Sequence, residues 1–185
     1  MRDEHVFNTL KLEPLQKEHA SRLFEVLKDP KIYTYIPEEP PKSEKSLIDK
    51  FDFLSHGAPE HLSELWFNYA LFDNEISKYI GTIQATIFQN SNKASIAYLL
   101  NPIYWGKGYA TQALRLMISK LIEEHGVVKF EACIDARNTK SIELVKRLGF
   151  KYTAFEKNAD FFKGESSDEY TYTASSDSFS QGNPN

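Results

Sequence analysis

The sequence predicts one mixed α/β domain built on a single sheet. Three observations support this fold class. Apolar residues recur at helical spacing in four segments, and they alternate or form short runs in seven others. Clusters of Asp, Asn, Ser and Gly separate several of these segments. The resulting order is strand, helix, helix, three strands, helix, strand, helix and two strands, which is consistent with one mixed sheet.

The first half of the chain contains two predicted helices and four predicted strands. Apolar residues at helical spacing, including Leu23 and Leu27, define the first helix, which ends before Pro30. Polar turn residues at 73–75 and 90–92 separate three successive antiparallel strands. The predicted strands are 9–15, 67–72, 79–88 and 94–100, and the predicted helices are 16–29 and 43–54.

The second half contains the clearest helix. Its apolar residues form one continuous stripe, which is typical of a helix packed on a sheet. The next helix is bounded by Asn138, a good N-cap, and by Gly149, which follows its end. The predicted helices are 109–124 and 139–148, and the predicted strands are 127–134, 150–156 and 169–174.

Composition narrows the class of protein. The chain has 185 residues, of which 41% are hydrophobic and 26% charged, as in ordinary globular domains. We expect one domain over 1–174 and a polar, mobile tail over 175–185. A net charge of −4 argues against nucleic acid as the main partner, and no apolar run is long enough for a membrane span. The single Cys133 excludes an intrachain disulfide and favours a cytoplasmic location.

The segment between the fourth strand and the third helix is the most informative. Two glycines, Gly106 and Gly108, lie in a loop immediately before the helix begins. Glycine allows close approach of a ligand to the backbone, and a helix N-terminus offers unpaired N–H groups and partial positive charge. The pattern therefore predicts a site for a phosphate or pyrophosphate. A loop that needs glycine only for its turn is the open alternative.

Two other phosphate motifs do not fit this segment. The chain contains no P-loop sequence. A dinucleotide fingerprint requires a third glycine where Thr111 stands, and it requires the glycines directly after a strand. Pro102 and the residues after it separate the strand from Gly106, so we do not expect the tight strand-to-helix turn of that fold here.

Together with the segment 138–150, which reads NTKSIELVKRLGF, this loop resembles the GNAT superfamily of N-acetyltransferases and its RimJ/RimL-like branch. The resemblance implies a mostly antiparallel GNAT-type sheet, flanked by helices and splayed between its fourth and fifth strands. It also implies acetyl-CoA as cosubstrate. Trp105 stands where the family usually has Gln or Arg, a departure that this branch often shows. The implied cofactor-binding residues are Leu99, Leu100, Trp105, Gly106, Lys107, Gly108, Tyr109, Ala110, Thr111, Asn138 and Ser141.

The resemblance also implies two catalytic groups. A β-bulge near Leu99 would present the N–H of Leu100 to the acyl oxygen, where it stabilises the oxyanion. Many members use a Tyr one helical turn after Ser141 to protonate the leaving thiolate, but that position is Val145 here. In the RimJ/RimL-like branch a Ser at the position of Ser141 is the usual candidate for this role.

The sequence does not identify a general base or a metal site. Glu131, Cys133 and Asp135 alternate on one face of a strand that should border the cleft, and a structural role is favoured for each. Cys133 has no base at a telling spacing that would make it a nucleophile. The five histidines do not form a metal pattern, so no metal is expected.

The resulting hypothesis is transfer of an acetyl group from acetyl-CoA to a primary amine, by direct attack in a ternary complex of a monomer or homodimer. Residues 31–66 would form the wall of the acceptor side. Its acidic side chains would either attract a cationic amine or form a solvated acidic surface. These side chains are Glu38, Glu39, Glu60 and Glu64. A non-catalytic acyl-CoA-binding or sensing module is the alternative, and Val145 is the feature that favours it.

Overall fold

The computed structural model describes residues 9–180. Its seven strands are β1 (Leu10–Pro14), β2 (Glu64–Asp73), β3 (Lys78–Phe88), β4 (Lys93–Leu100), β5 (Lys129–Asp135), β6 (Lys151–Phe162) and β7 (Glu165–Ser175). Its α-helices are α1 (Ala20–Leu27), α2 (Glu44–Ser55), α3 (Tyr109–His125), α4 (Thr139–Arg147) and the single turn α5 (Asp177–Ser180). Short 3-10 helices are found at Lys17–His19, Pro30–Tyr33 and Pro102–Tyr104.

All seven strands form one sheet in the order β1-β2-β3-β4-β5-β7-β6. Every neighbouring pair is antiparallel except β4 and β5, which run parallel. This parallel pair is matched only at Lys93, Ala94 and Ser95, opposite residues 129–131. Beyond Ser95 the two strands separate, so the predicted mixed sheet with a splay between its fourth and fifth strands is confirmed.

The helices cover both faces of the sheet. The larger apolar cluster contains Leu114, Met117 and Leu121 of α3 together with Ile142 and Val145 of α4. A second cluster on the opposite face contains Leu23 and Leu27 of α1 and Leu47 and Phe51 of α2. Because each helix buries its apolar stripe, the sheet is held between two layers and the gap between β4 and β5 is framed by helices. No helix within residues 9–180 is both long and apolar enough to cross a membrane.

Strand β6 is where sequence and structure differ most. The predicted strands 150–156 and 169–174 are the inner parts of a longer hairpin whose tip lies at residues 163 and 164. Strand β6 is the edge of the sheet and most of its residues are exposed, so its outer part lacks the apolar alternation that marks a strand. Its pairing with β7 is also interrupted by a register shift after Glu156.

The first helix and the C-terminal segment also differ from the sequence prediction. The predicted helix 16–29 is a 3-10 turn followed by the shorter α1. Part of the predicted tail packs on the domain, because Ser175 ends β7 and the ring of Phe179 lies 5.7 Å from that of Phe130. Residues 181–185 lie outside the described part of the chain.

Gly81 of β3 permits an unusually close contact with β4. A Cβ at this position would lie 2.0 Å from the carbonyl oxygen of Leu99 and 2.9 Å from Cδ2 of Leu100. The pairing of β3 with β4 nevertheless stays in register as far as Leu100, so the bulge expected near Leu99 is absent from this pairing. The irregularity lies instead in β3, where Ile80 is an extra residue relative to β2.

Replacing Gly81 by Ala is expected to lower the free energy of unfolding by about 1–3 kcal/mol, because the methyl group has to displace the backbone of β4. Chemical denaturation of the two proteins measures the difference. An alanine variant as stable as the parent protein would show that Leu99 can move aside without cost.

Candidate active site

The gap between β4 and β5 opens into a cavity of about 1370 Å³. One half is bordered by the end of β4, the glycine loop and the N-terminal turns of α3 and α4. The other half is bordered by the segment 31–42, helix α2 and residues 131–135 of β5. The cavity is large enough for two molecules to meet, since ligand sites typically measure about 300–1,000 Å³.

The glycine loop has the geometry of an anion cradle. Gly106 and Gly108 have φ values of 72° and 85°, which L side chains rarely adopt. A Cβ built at either position would meet no protein atom within 4 Å, so the space beside the loop is open. Gly108 is the N-cap of α3, and its carbonyl accepts the first helical bond, from Gln112. The N–H groups of the first helical turn, 109–111, therefore have no helical acceptor and border the cavity. This arrangement fits the pyrophosphate of acetyl-CoA.

Trp105 is fixed beside this loop. Its indole Nε1 donates to the carbonyl of Leu100 at 2.9 Å, which ties the loop to the end of β4. The ammonium of Lys140 lies 5.3 Å from the centre of the indole ring, within the range of a cation–π contact. Lys140 borders the cavity, whereas Lys107 is exposed and is absent from the cavity wall. Lys140 of α4, rather than Lys107 of the glycine loop, is therefore the lysine that borders both Trp105 and the cavity.

The amide of Leu100 points into the gap. Asn101 donates its N–H to the carbonyl of Ile80 at 3.2 Å, so that amide faces β3. Successive amides along a strand point to opposite edges, and the N–H of Leu100 therefore faces β5, from which β4 has already separated. By the same alternation, the N–H of Leu99 faces β3 rather than the cavity.

Ser141 is paired with Tyr98, a tyrosine just before the predicted site residues of β4. The hydroxyls of Tyr98 and Ser141 lie 3.2 Å apart, and Ser141 N–H also donates to Asn138 Oδ1 at 3.2 Å. Asn138 is therefore the N-cap of α4, as predicted. Burial raises the pKa of Tyr98, although Ser141 and Arg147 act in the opposite direction, so the phenol keeps its proton at neutral pH. The sequence offers one signal for a role of Tyr98: it is a polar-tipped side chain near the end of an apolar strand that leads into the glycine loop.

The three alternating residues of β5 all border the cavity, and each is engaged. Lys93 Nζ contacts both carboxylate oxygens of Glu131, at 2.9 and 3.0 Å. Burial, followed by the nearby Glu169, raises the pKa of the Cys133 thiol to about 11, which leaves it protonated and a poor nucleophile. These contacts agree with the structural roles favoured from the sequence.

Asp135 is held even more tightly. Arg137 forms a bidentate pair with it at 3.0 and 2.7 Å, and Ser167 Oγ donates to Oδ2 at 2.7 Å. Burial alone would raise its pKa, but the hydrogen bonds from Arg137 and Ser167 outweigh burial and lower it. The carboxylate is therefore ionised and occupied, which makes it a structural anchor rather than a free base.

The acidic residues predicted for the acceptor wall divide into two groups. Glu38 and Glu39 border the cavity, but Glu38 is paired with Lys50 and Glu39 lies 3.6 Å from Lys163 Nζ. Glu64 accepts a hydrogen bond from Trp66 at 2.7 Å, and Glu60 borders a separate surface pocket. Among residues 9–180, no group of His, Cys, Asp or Glu is arranged as metal ligands would be.

The structure thus brings most of the predicted site residues to one cavity. Those that border it are Leu99, Leu100, Trp105, Gly106, Gly108, Tyr109, Ala110, Thr111, Asn138 and Ser141. Val145 also borders the cavity, as an apolar residue of the core.

The chain is similar in sequence to proteins named as N-acetyltransferases. The chain is 24% identical over 165 residues to an uncharacterized N-acetyltransferase, p20, of Bacillus licheniformis, which covers 89% of this chain and 91% of the relative. It is 23% identical over 158 residues to spermidine N(1)-acetyltransferase of Escherichia coli, covering 85% and 81% of the two chains.

Solved structures show the same fold. The ribosomal-protein α-N-acetyltransferase RimL, in complex with coenzyme A, superposes with a TM-score of 0.81 at 19% identity, covering 92% of this chain and 96% of that one. Spermidine N-acetyltransferase from Vibrio cholerae, in complex with CoA and spermine, gives 0.79 at 18% identity, covering 94% and 99%.

Residues 9–151, which are most of the chain, match the family profile described as an acetyltransferase (GNAT) domain. The family predicted from the two segments is therefore confirmed. The chain belongs to the GNAT family of acetyltransferases, and it is an N-acetyltransferase that uses acetyl-CoA.

Proposed function

We propose that this enzyme transfers the acetyl group of acetyl-CoA to a primary amine, either a small polyamine or a protein N-terminus, by direct attack in a ternary complex. One observation carries the proposal: the glycine cradle, the free edge of β4 and an open second half share a single cavity. Holding a thioester and an amine together in this space supplies much of the rate, because the reaction becomes effectively unimolecular. The amine substrates named for the relatives support the acceptor class.

In the proposed complex the pyrophosphate lies on the N–H groups of the first turn of α3. The partial positive charge of a helix N-terminus favours an anion there, and Lys140 adds a full charge nearby. The pantetheine arm then runs along the edge of β4 that faces the gap. Asn138 is the polar group on the opposite side, and its amide nitrogen remains a donor while Oδ1 caps α4.

The uncharged amine nitrogen attacks the thioester carbon, and negative charge develops on the carbonyl oxygen. The amine then loses a proton to solvent water, and the carbon–sulfur bond breaks to release the CoA thiolate. The N–H of Leu100 is the proposed donor to the carbonyl oxygen, because it faces the cavity and points away from the β3 ladder. Ser141 is the proposed donor to the departing thiolate, supported by the neighbouring phenol of Tyr98. A thiol has a pKa of about 8.5, so a hydrogen bond is sufficient assistance for this leaving group.

A panel of amines tests the proposal. We expect free thiol to appear from acetyl-CoA only when a suitable primary amine is present, with spermidine, spermine and short peptides with free N-termini as the first candidates. Mass spectrometry of the amine identifies the acetylated product. Binding of acetyl-CoA without turnover of any amine would favour the non-catalytic acyl-CoA-binding alternative.

The cradle is tested by a pair of glycine variants. Gly108 and Gly126 both have positive φ, at 85° and 61°, and a Cβ at either meets no protein atom. Replacing either by Ala should therefore cost a similar free energy of unfolding, about 1–2 kcal/mol. Only Gly108→Ala should weaken acetyl-CoA binding, because only Gly108 borders the cavity. Calorimetric titration of both variants measures the difference, and equal affinities would mean that the loop is only a turn.

The hydroxyl pair is tested by a double-mutant cycle. Ser141→Ala should lower kcat roughly ten- to a thousandfold with little change in acetyl-CoA affinity, since the donor acts on charge that develops late. Tyr98→Phe should lower kcat less, by about three- to tenfold, because it acts through Ser141. The double variant should be no slower than Ser141→Ala alone. Additive losses in single-turnover experiments would contradict the pairing of the two hydroxyls.

A further inference from the structure

The tip of the β6–β7 hairpin contacts a distant loop through one lysine. Lys163 and Gly164 form the turn, and both have positive φ, at 54° and 79°, as in a type I′ hairpin. This turn keeps the two long strands together until the hairpin reaches the segment 33–39, about 125 to 130 residues away in sequence. The contact therefore joins the outer edge of the sheet to the N-terminal part of the chain.

The ammonium of Lys163 is fully used in this contact. It donates to the carbonyl oxygens of Tyr33, Ile36 and Glu38 at 2.7, 2.6 and 3.1 Å, and it lies 3.6 Å from the carboxylate of Glu39. A lysine ammonium has three N–H donors, and three carbonyls match that number. Hydrogen bonds to a charged donor are about twice as strong as neutral ones.

Apart from Lys163, few side-chain hydrogen bonds or ion pairs among residues 9–180 hold the segment 33–39, although the Tyr33 ring is buried in the core. After the 3-10 turn at Pro30–Tyr33, the chain forms no helix or strand before α2. Tyr33 donates its hydroxyl to the carbonyl of Leu27 at 2.8 Å, and Glu38 pairs with Lys50. Between Tyr33 and Glu38, the backbone carbonyls of the segment are held by their shared hydrogen bonds to the Lys163 ammonium.

This segment is also the outer wall of the acceptor half of the cavity. Tyr33, Tyr35, Ile36 and Glu38 border the cavity, whereas Lys163 does not. Within residues 9–180, no hydrogen bond or ion pair joins Lys163 to the glycine cradle. Removal of the ammonium should therefore disturb the amine side of the site and spare the acetyl-CoA side.

We propose that Lys163 is a positioning residue for the acceptor amine: it fixes the wall 33–39 and thereby sets the shape of the acceptor half. The proposal rests on the function proposed above. A residue at the tip of the β6–β7 hairpin, outside both family motifs, then contributes to the choice of acceptor. Arg is a poor replacement, since its flat guanidinium cannot direct three donors to converging carbonyls as an ammonium does.

The test compares Lys163→Met with Lys157→Met. Methionine keeps the apolar stem and removes the charge, and Lys157 is an exposed residue of the same hairpin. In Lys163→Met, amide hydrogen exchange over 33–39 should be faster by about tenfold or more, and KM for the best amine of the panel should rise about tenfold. The dissociation constant of acetyl-CoA should stay within about twofold. Lys157→Met should match the parent protein in all three measurements.

Three results would overturn the inference. Unchanged exchange over 33–39 would show that other contacts fix the wall. Faster exchange with an unchanged amine KM would reduce Lys163 to a structural contact. A loss of acetyl-CoA affinity equal to the rise in KM would show a general disturbance of the cavity. Failure of the unmodified protein to acetylate any amine is a separate result, which defeats the proposed function whatever the exchange experiment gives.

Discussion

The separation of β4 from β5 is the constraint on which the site depends. The two strands pair over three residues only, and the parallel ladder then ends. Backbone amides that would otherwise be used in the sheet are left facing open space, which is costly unless water or a ligand meets them. The larger apolar cluster and the helices on both faces stabilise the sheet on each side of this gap. The fold therefore supplies a preformed donor edge at the end of β4, and the glycine loop follows after the 3-10 turn Pro102–Tyr104.

The two halves of the cavity are built by different means. The half proposed for acetyl-CoA depends on local sequence, because a loop with two left-handed glycines and the first turns of two helices are all encoded within short segments. The half proposed for the acceptor depends on contacts between distant segments. Lys50 and Lys163 neutralise Glu38 and Glu39, two of the four carboxylates for which the sequence left a cation-attracting role open. Lys93 does the same for Glu131. Because these carboxylates are paired with lysines, the shape of the acceptor half matters more for ligand selection than its negative charge.

Features encoded by local sequence can be predicted from the sequence, whereas contacts between distant segments cannot. Helix α3 and strands β3 and β4 were predicted within one or two residues, because their apolar patterns are strong and local. The predicted strand 150–156 covers only the first part of β6. The exposed outer part of this edge strand lacks the alternation of apolar and polar residues that indicates a strand. The pairing of Tyr98 with Ser141 and the reach of Lys163 join residues 43 or more positions apart, and no local spacing encodes such contacts. Gly81 had a readable signal, since an isolated glycine inside a strand indicates close backbone approach.

Direct transfer within one cavity is the central claim, and initial-rate kinetics test it most directly. Acetyl-CoA and the amine are varied together, and the protein is examined by mass spectrometry after incubation with acetyl-CoA alone. If both substrates occupy the cavity at once, the double-reciprocal lines intersect and the protein carries no acetyl group. Parallel lines together with an acetylated protein would mean that the acetyl group passes through an enzyme nucleophile, contrary to the protonated, poorly nucleophilic state assigned to Cys133.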